Sequence, residues 1–383
     1  MAPSLVAVSL LLLAAATGPV LGKPLSSQKT CTDVEIPLTV TSTNIGFGLP
    51  KFQTNFDVAN FIDTVSSRNA TTSGTVVAAP HNVTATYTIS ATFCKPKQAL
   101  PAERQNTVLL ATHGLAFDRS YWDPALDKAD YSFVDAAIGR GYSVFYYDRL
   151  GVGKSSPVSG YVAQLFNQVA ILTEITKRVK AGKYVGGKPD KVVLVGHSFG
   201  STTSLNTAVD NVGLADGLVL TGFSFNSTFL NAIGFVEAVA PRIAAAQQPS
   251  KWAHLDTGYL TSADIYSGVT NFFKAPDYSQ AVAKYADATK TPFAVTELIT
   301  TGLISHPPYA FAGPVLLITG QYDFIFCTSD CDGALETPAA QFFGKAKPFK
   351  AISYPGAGHG LNLHLNAAGA FKEILDFVAA SGL

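Results

Sequence analysis

One pentapeptide of this sequence has residue types and spacing suited to nucleophilic catalysis. It is Gly196-His197-Ser198-Phe199-Gly200, which follows the apolar run KVVLV and precedes a helix-like segment. In a G-x-S-x-G turn the serine takes a strained conformation between a strand and a helix, and the flanking glycines let neighbouring backbone pass closely. The helix N-terminus then favours negative charge that develops beside the hydroxyl. The pentapeptide alone is weak evidence, but in this context it predicts Ser198 as a nucleophile.

A serine hydroxyl needs a general base and an acid that orients the base, and both residue types follow downstream. Asp323 comes after the apolar run Pro314–Thr319, and His359 lies in the stretch PGAGHG after a second run, Phe349–Tyr354. The chain order serine, aspartate, histidine is that of one known type of triad, and each residue follows a predicted strand. The carboxyl ends of parallel strands form the edge at which open α/β sheets bind ligands. The sequence therefore predicts a catalytic triad of Ser198, Asp323 and His359.

Other side chains could fill two of these roles. Three carboxyl groups follow Asp323 closely: Asp330, Asp332 and Glu336. We choose Asp323 because the acid of such a triad normally comes directly after its strand. His364 follows His359 by five residues, in a stretch predicted to be helical, whereas the glycines around His359 indicate a tight loop. We therefore choose His359 as the base.

A fold that brings strand ends together must hold these residues, and the chain from Thr107 onward has such a pattern. Continuous apolar runs, typical of parallel strands buried on both faces, alternate with helix-like stretches. The predicted strands are Thr107–Thr112, Ser143–Tyr147, Lys191–Val195, Gly217–Leu220, Pro314–Thr319 and Phe349–Tyr354. The predicted helices are Ser132–Gly139, Val162–Lys180 and Ser201–Val209. This alternation predicts an α/β fold with a mostly parallel, doubly wound sheet.

Besides the pentapeptide and the triad order, the sequence has an HG loop, His113-Gly114-Leu115, and a D-x-x-G-x-G-x-S loop, Asp148–Ser155. In these features residues 107–383 resemble the α/β-hydrolase superfamily, in particular secreted, fungal-type lipases and esterases with a helical cap. The resemblance implies the α/β-hydrolase fold and an oxyanion hole formed by the backbone N–H groups of Leu115 and Phe199. Two departures are the absence of an HGGG run and a longer N-terminal β segment.

Neither a cofactor nor a metal ion is predicted. The loop Asp148–Ser155 fails the P-loop pattern, because Asp148 stands where the first glycine would be, and it is not G-x-G-x-x-G. In the family it resembles, this loop is structural, and the resemblance implies that Asp148 and Arg149 bond within the scaffold. The spacing C-x3-C at Cys327 lacks a nearby histidine and supplies too few ligands for zinc.

The N-terminus predicts secretion. Leu5–Thr17 is an apolar run of signal-peptide length, and Val20 and Gly22 are small residues before a cleavage ahead of Lys23. No Lys or Arg precedes the run, and a signal anchor is the alternative interpretation. No later stretch reaches about 18 apolar residues, so we predict no transmembrane helix and no integral membrane association.

Cysteines and glycosylation sequons fit an extracellular protein. Four cysteines in an oxidising compartment suggest two disulfides with three possible pairings. We choose Cys31 with Cys94 and Cys327 with Cys331, because each pair shares a region of the chain. Sequons for N-glycosylation begin at Asn69, Asn82 and Asn226.

Composition narrows the class of protein further. The 383 residues are 47% hydrophobic and only 14% charged, which is ample for a buried core and excludes a disordered chain. Equal numbers of basic and acidic residues, 27 each, argue against nucleic acid or an anionic membrane as the main partner. The oligomeric state stays open.

These features predict five regions along the chain. Residues 1–22 are a signal peptide, and residues 23–106 are an N-terminal β-rich segment of the core. Residues 107–224 and 313–383 are the two halves of the hydrolase core. Residues 225–312, rich in aromatic side chains, are a cap insertion.

We predict a secreted serine hydrolase that cleaves carboxylic esters of a small apolar substrate through an acyl-enzyme. The aromatic cap suggests the apolar substrate, although aromatic residues in an insertion more often pack than bind. Three alternatives stay open: an acyltransferase or cyclase using the same triad, an amidase, and a non-enzymatic binding protein on a hydrolase scaffold.

Overall fold

The computed structural model of the protein describes residues 28–66, 77–97, 106–225, 236–304 and 306–383. The predicted signal peptide and the sequons at Asn69 and Asn226 lie outside these ranges. Within them, every helix is too short or too polar to cross a membrane.

The described residues form eleven β-strands in two sheets. In chain order they are Lys29–Phe47 (β1), Val77–Pro96 (β2), Thr107–Thr112 (β3), Ser143–Tyr147 (β4), Lys191–His197 (β5), Gly217–Thr221 (β6), Arg242–Ile243 (β7), Tyr259–Thr261 (β8), Phe293–Ala294 (β9), Val315–Gly320 (β10) and Phe349–Tyr354 (β11).

Thirteen α-helices and two short 3-10 turns lie wholly within the same ranges, and residues 236–239 are also helical. The helices are Asn55–Ser66 (α1), Lys128–Tyr131 (α2), Phe133–Gly139 (α3), Leu165–Lys180 (α4), Phe199–Asp210 (α5), Ala244–Gln247 (α6), Pro249–Trp252 (α7), Ile265–Phe272 (α8), Gln280–Thr289 (α9), Val295–Thr301 (α10), Phe324–Cys327 (α11), Glu336–Ala340 (α12) and Ala367–Ala380 (α13). The 3-10 turns are Arg119–Tyr121 and Leu361–Leu363.

The large sheet has the strand order β1-β2-β4-β3-β5-β6-β10-β11. All neighbours from β4 to β11 pair in parallel, whereas β1 with β2 and β2 with β4 pair antiparallel. The predicted mostly parallel, doubly wound sheet is therefore confirmed. The strands β3, β4 and β11 have the bounds predicted from the sequence.

Both faces of this sheet are buried, which explains the continuous apolar runs. In β3, Val108 and Leu110 contribute to one apolar cluster, and Leu109 and Ala111 contribute to the other. The helices α4 and α5 cover the first face, and α3 and α13 cover the second. Alternate side chains of one strand thus enter opposite cores.

A third apolar cluster lies apart from the two sheet faces. It joins side chains of α1, of the HG loop, of α5 and of the chain between β6 and β10, which we call the inserted segment. Its buried members include Val58, Phe61, Leu115, Phe199 and Phe293. The long β1–β2 connection therefore reaches the same place as the inserted segment.

The helix α1 was not predicted from the sequence, which was interpreted as β-rich over this region. Its apolar residues Val58, Phe61, Ile62 and Val65 have the i, i+3, i+4, i+7 spacing of a one-faced helix. That spacing was the signal that could have identified it.

Two disulfides join Cys31 to Cys94 and Cys327 to Cys331, the pairing chosen from the sequence. Cys31 and Cys94 are direct partners in the β1–β2 ladder. On the same ladder Asn82 is exposed, and its side-chain oxygen accepts a hydrogen bond from Thr43 at 2.9 Å.

Candidate active site

Ser198 occupies the single-residue turn between β5 and α5. Its φ of 56° and ψ of −121° lie in a region that a residue with a Cβ rarely adopts. The two glycines of the pentapeptide make this turn possible. A Cβ on Gly200 would lie 2.1 Å from the carbonyl oxygen of Thr112, and one on Gly196 would lie 2.4 Å from Cα of Ser201. The strained conformation is the one predicted for a nucleophile at this place.

The HG loop packs directly against this turn. A Cβ built on Gly114 would lie 2.9 Å from Cβ of Ser198 and 3.1 Å from the carbonyl oxygen of His197. Only a glycine allows the loop to approach the serine so closely. Leu115, whose amide was predicted for the oxyanion hole, follows Gly114 and is buried beside Phe199 in the third cluster.

Asp323 comes three residues after β10 and is fully buried. It is the N-cap of α11, and its Oδ1 accepts a hydrogen bond from the N–H of Phe326 at 2.9 Å. Its carbonyl oxygen accepts from the N–H of Ser329 at 3.0 Å, within the loop closed by the Cys327–Cys331 disulfide. Asp323 is therefore held by hydrogen bonds at both its side chain and its backbone.

His359 follows β11 and is hydrogen-bonded to Asp323. The His359 Nδ1–H donates to Asp323 Oδ2 at 2.7 Å, and both side chains are at most 1% exposed. A carboxylate can only accept, so the proton is on Nδ1, and Nε2 is left as the basic nitrogen. The hydrogen bonds described for this site do not include one between the Ser198 hydroxyl and His359.

Contacts around His197 show that Ser198 and His359 are neighbours. The rings of His197 and His359 lie 4.9 Å apart between centroids, and His197 directly precedes Ser198. His197 stacks on Tyr121 at 4.3 Å and hydrogen-bonds through Nδ1 to Thr221 Oγ1 at 3.1 Å. Burial, and then the nearby His359, hold the pKa of His197 well below the usual value. His197 is thus a neutral packing residue.

His364, the alternative base, braces the loop that carries His359. Its Nδ1–H donates to the carbonyl oxygen of Gly360 at 3.0 Å. Its Nε2 accepts from the N–H groups of Gly358 at 2.9 Å and Lys274 at 3.1 Å. The prediction that His364 lies in a helix is wrong. It follows the 3-10 turn Leu361–Leu363 in an extended conformation, because its ring bonds back to the residues on either side of His359.

The loop after β4 is structural, as the resemblance implied. Asp148 is buried, and its side chain accepts hydrogen bonds from the N–H groups of Arg119 at 3.0 Å and Lys154 at 2.9 Å. The hydroxyl of Ser155 donates a hydrogen bond to the backbone carbonyl oxygen of Asp148 at 2.6 Å. These bonds close the loop on itself.

An apolar pocket lies beside the HG loop and the aromatic neighbours of His359. Its cavity volume is about 30 Å³, enough for one or two water molecules. Among the residues that line it are Ala116, Phe117, Val269, Phe272, Phe273 and Ala283. The ring of Phe272 lies 5.8 Å from that of His359 and 5.1 Å from that of Phe117. Phe272 therefore lies next to both the pocket and the histidine.

Within the described ranges, no three His, Cys, Asp or Glu side chains are grouped so that they could hold a metal ion.

Residues 108–373 match the alpha/beta hydrolase family. This chain belongs to that family. The match spans the pentapeptide, the HG loop and the strand ends that carry Asp323 and His359.

Solved structures agree with this α/β hydrolase in fold. A thermophilic esterase from Thermogutta terrifontis has a TM-score of 0.52 at 16% identity, with 77% of this chain and 95% of that chain covered. A putative non-heme bromoperoxidase from Mycobacterium tuberculosis has a TM-score of 0.51 at 15% identity, with 72% and 92% covered. An α/β hydrolase from a Medee basin deep-sea metagenome library has 0.51 at 14% identity, with 76% and 94% covered. A search of curated proteins gives no match.

Two contacts of this α/β hydrolase were missed by sequence reasoning. One is the bracing of the His359 loop by His364, and the other is a buried ion pair between Arg149 and Glu297. Arg149 and Glu297 were visible in the sequence as charged residues. They are 148 positions apart, so no local spacing indicates that they pair.

Proposed function

We propose that this protein is a serine hydrolase that cleaves carboxylic esters. The observation that carries the proposal is the buried 2.7 Å hydrogen bond between His359 and Asp323, at the same sheet edge as the strained Ser198. Membership of the hydrolase family and the order of the three residues along the chain support it.

In this mechanism His359 Nε2 takes the proton of Ser198 as the serine oxygen attacks the ester carbonyl. Asp323 keeps the proton of His359 on Nδ1 and stabilises the imidazolium that forms. The imidazolium then protonates the leaving alcohol, and an acyl-enzyme remains. Water, deprotonated by the same histidine, cleaves the acyl-enzyme and regenerates Ser198.

The backbone N–H groups of Leu115 and Phe199 stabilise the oxyanion of each tetrahedral intermediate. Support comes from the packing of the HG loop on the Ser198 turn and from the start of α5 at Phe199. The first N–H groups of a helix lack intrahelical partners and favour negative charge.

The substrate is a small apolar ester whose hydrophobic part enters the pocket behind Phe117 and Phe272. The apolar lining of that pocket supports this choice. Because the cavity holds only about 30 Å³, an acyl chain enters when the two aromatic side chains move. The protein is secreted, and its two disulfides are compatible with an oxidising compartment.

The test is labelling of the purified protein with a fluorophosphonate, together with turnover of p-nitrophenyl esters of increasing acyl length. We expect labelling of the wild type, none of Ser198→Ala, and a maximum of kcat/KM at one acyl length. The matched control is Ser201→Ala, which removes a neighbouring serine hydroxyl that donates to the Thr221 carbonyl at 2.8 Å.

Labelling that persists in Ser198→Ala would contradict the assignment of the nucleophile. A folded wild type that is neither labelled nor active on any ester would contradict the hydrolase itself and favour the binding-protein alternative. Labelling without turnover would instead favour acyl transfer.

A further inference from the structure

Arg149, directly after Asp148, is a buried cation that the chemistry above does not use. Its side chain is 0% exposed, and it forms an ion pair with Glu297, which is 1% exposed. Desolvation of two charges offsets most of the attraction within a buried pair, so stability alone does not account for this arrangement.

The carboxylate partner is held rigidly. Glu297 lies on α10 in the inserted segment, and it also accepts a hydrogen bond from Gln168 of α4 at 2.9 Å. The same helix is tied to the core through Thr300, whose hydroxyl accepts from the N–H of Leu165 at 3.0 Å. Arg149 is therefore held by a carboxylate whose own position is fixed by hydrogen bonds to α4.

The other contacts of Arg149 lead to the HG loop. Its Nη2 donates to the carbonyl oxygen of Gly114 at 3.4 Å. Its backbone N–H donates to His113 Nε2 at 3.1 Å, so the proton of that ring is on Nδ1, which donates to the same Gly114 oxygen at 2.9 Å. Burial, and then the charge of Arg149, hold the pKa of His113 well below its usual value and keep the ring neutral.

These bonds fix the direction of the Leu115 N–H. In a trans peptide the C=O of one residue and the N–H of the next point to opposite sides. The Gly114 oxygen faces Arg149 and His113, so the N–H of Leu115 faces away from them. The Arg149 guanidinium carbon also lies 4.6 Å from the centroid of the Phe199 ring. One side chain thus contacts the Gly114–Leu115 peptide, through the Gly114 oxygen, and the ring of Phe199.

We propose that Arg149 is a positioning residue for the oxyanion hole. Its guanidinium and the His113 ring hold the Gly114–Leu115 peptide, and Glu297 of the inserted segment holds the guanidinium. The inference rests on the proposed function. It adds that the inserted segment, through Glu297, takes part in transition-state stabilisation at a point remote from the pocket that it lines.

The test compares kinetics of the full-length wild type with two variants. Arg149→Met combined with Glu297→Gln removes both charges, so no uncompensated buried charge remains. Arg149→Lys keeps the charge beside Glu297 but loses the planar fork that reaches Gly114 as well. The control, Lys29→Met with Asp135→Asn, removes another largely buried ion pair, 2.6 Å long, together with the 2.8 Å pair of Lys29 with Asp123, and neither pair includes a site residue.

We expect kcat of the double variant to fall by about 10- to 100-fold, with KM changed by less than about threefold, because the lost contact acts on the transition state. The inhibition constant of a trifluoromethyl ketone, which forms an oxyanion adduct with the serine, should rise by the same factor as kcat/KM falls. The kcat of Arg149→Lys should lie between those of the double variant and the wild type, and the control should keep the wild-type kcat.

A folded double variant with wild-type kcat and ketone affinity would overturn the inference while leaving the hydrolase intact. Equal losses in the double variant and the control would also overturn it, since they would indicate a general effect on stability. A wild type that neither hydrolyses esters nor binds the ketone would overturn the proposed function and this inference together.

Discussion

At the scale of single residues, the candidate site depends on what is missing from a side chain as much as on what is present. Ser198, Asp323 and His359 supply reactive groups, but Gly196, Gly200 and Gly114 supply the space in which those groups approach each other. A methyl group at any of the three would overlap atoms of the turn or of the HG loop.

Gly114→Ala tests this requirement at the HG loop. The new methyl group would lie 2.9 Å from Cβ of Ser198, so the loop or the serine must shift. We expect kcat for ester hydrolysis to fall by about 10- to 100-fold, because catalytic geometry tolerates displacements of well under 1 Å. Gly344→Ala is the control, since a methyl group there meets open space and should leave kcat unchanged. Equal activities would show that the close approach is not required.

The triad proposed for this site could be predicted from sequence because its signals are local. A glycine on each side of Ser198 and glycines around His359 are visible in stretches of five or six letters. The ring contacts of His364 were not, because they depend on the path of the backbone from Gly358 to Gly360 and on Lys274 from the inserted segment.

At the scale of elements, His364 connects the loop after β11 to the residues that follow α8. Burial lowers its pKa from 6.5 to about 4. Between those values the unfolded chain binds a proton that the folded chain does not, so the free energy of unfolding falls as the pH falls through this window. The part due to His364 is at most about 3 kcal/mol, and it is fully present above pH 6.5.

In His364→Gln the free energy of unfolding should therefore fall less steeply as the pH is lowered from 6.5 to 4. We expect the difference in free energy of unfolding between wild type and variant to be largest above pH 6.5 and to shrink towards pH 4. Urea unfolding at pH 4, 5, 6 and 7.5 measures it. The control is His254→Gln, which changes an exposed histidine. A constant difference between wild type and His364→Gln over this range would contradict the assignment of the buried, neutral ring.

Elements were predictable to different degrees for a physical reason. Strands buried on both faces give continuous apolar runs, and β3, β4 and β11 were bounded correctly. The helix α4 was predicted from Val162, but it begins at Leu165, because the Gln164 backbone N–H donates a hydrogen bond to the Asn167 side-chain oxygen at 3.1 Å and so caps the helix there. The helix α1 was missed although its one-faced apolar spacing is visible in the sequence, and its apolar face packs on loops and inserted residues rather than on the sheet.

At the scale of the whole molecule, the two disulfides close loops of very different length. Cys31 and Cys94 are 63 positions apart, whereas Cys327 and Cys331 are four apart. In the chain-entropy account of cross-links, the longer loop restricts the unfolded chain more. Most of the cross-link stabilisation therefore belongs to the N-terminal ladder and not to the loop of Asp323.

Replacing each pair by alanine separates these effects. We expect Cys31→Ala with Cys94→Ala to lower the free energy of unfolding by about 4 kcal/mol, and Cys327→Ala with Cys331→Ala by about 2 kcal/mol. Urea unfolding of the two double variants under oxidising conditions measures both losses. An equal or reversed order would show that the contribution of each bridge lies in the folded state.

The long-range organisation was the least predictable from sequence. The alternation of strands and helices predicted a mostly parallel sheet, but it predicted neither the order of the strands nor the meeting of α1 with the inserted segment over Leu115 and Phe199. The residues of that third cluster come from five separate parts of the chain, and no periodicity in any one of them indicates the others.

That meeting of the β1–β2 connection and the inserted segment over one sheet edge has a consequence for how substrate range can diverge. Both are connections between strands, and such connections tolerate changes of length and sequence better than the strands they join. Drift in either one can remodel access to Ser198 while the strand ends keep their geometry. Exchanging these two connections with those of another member of the family is therefore a direct route to new selectivity.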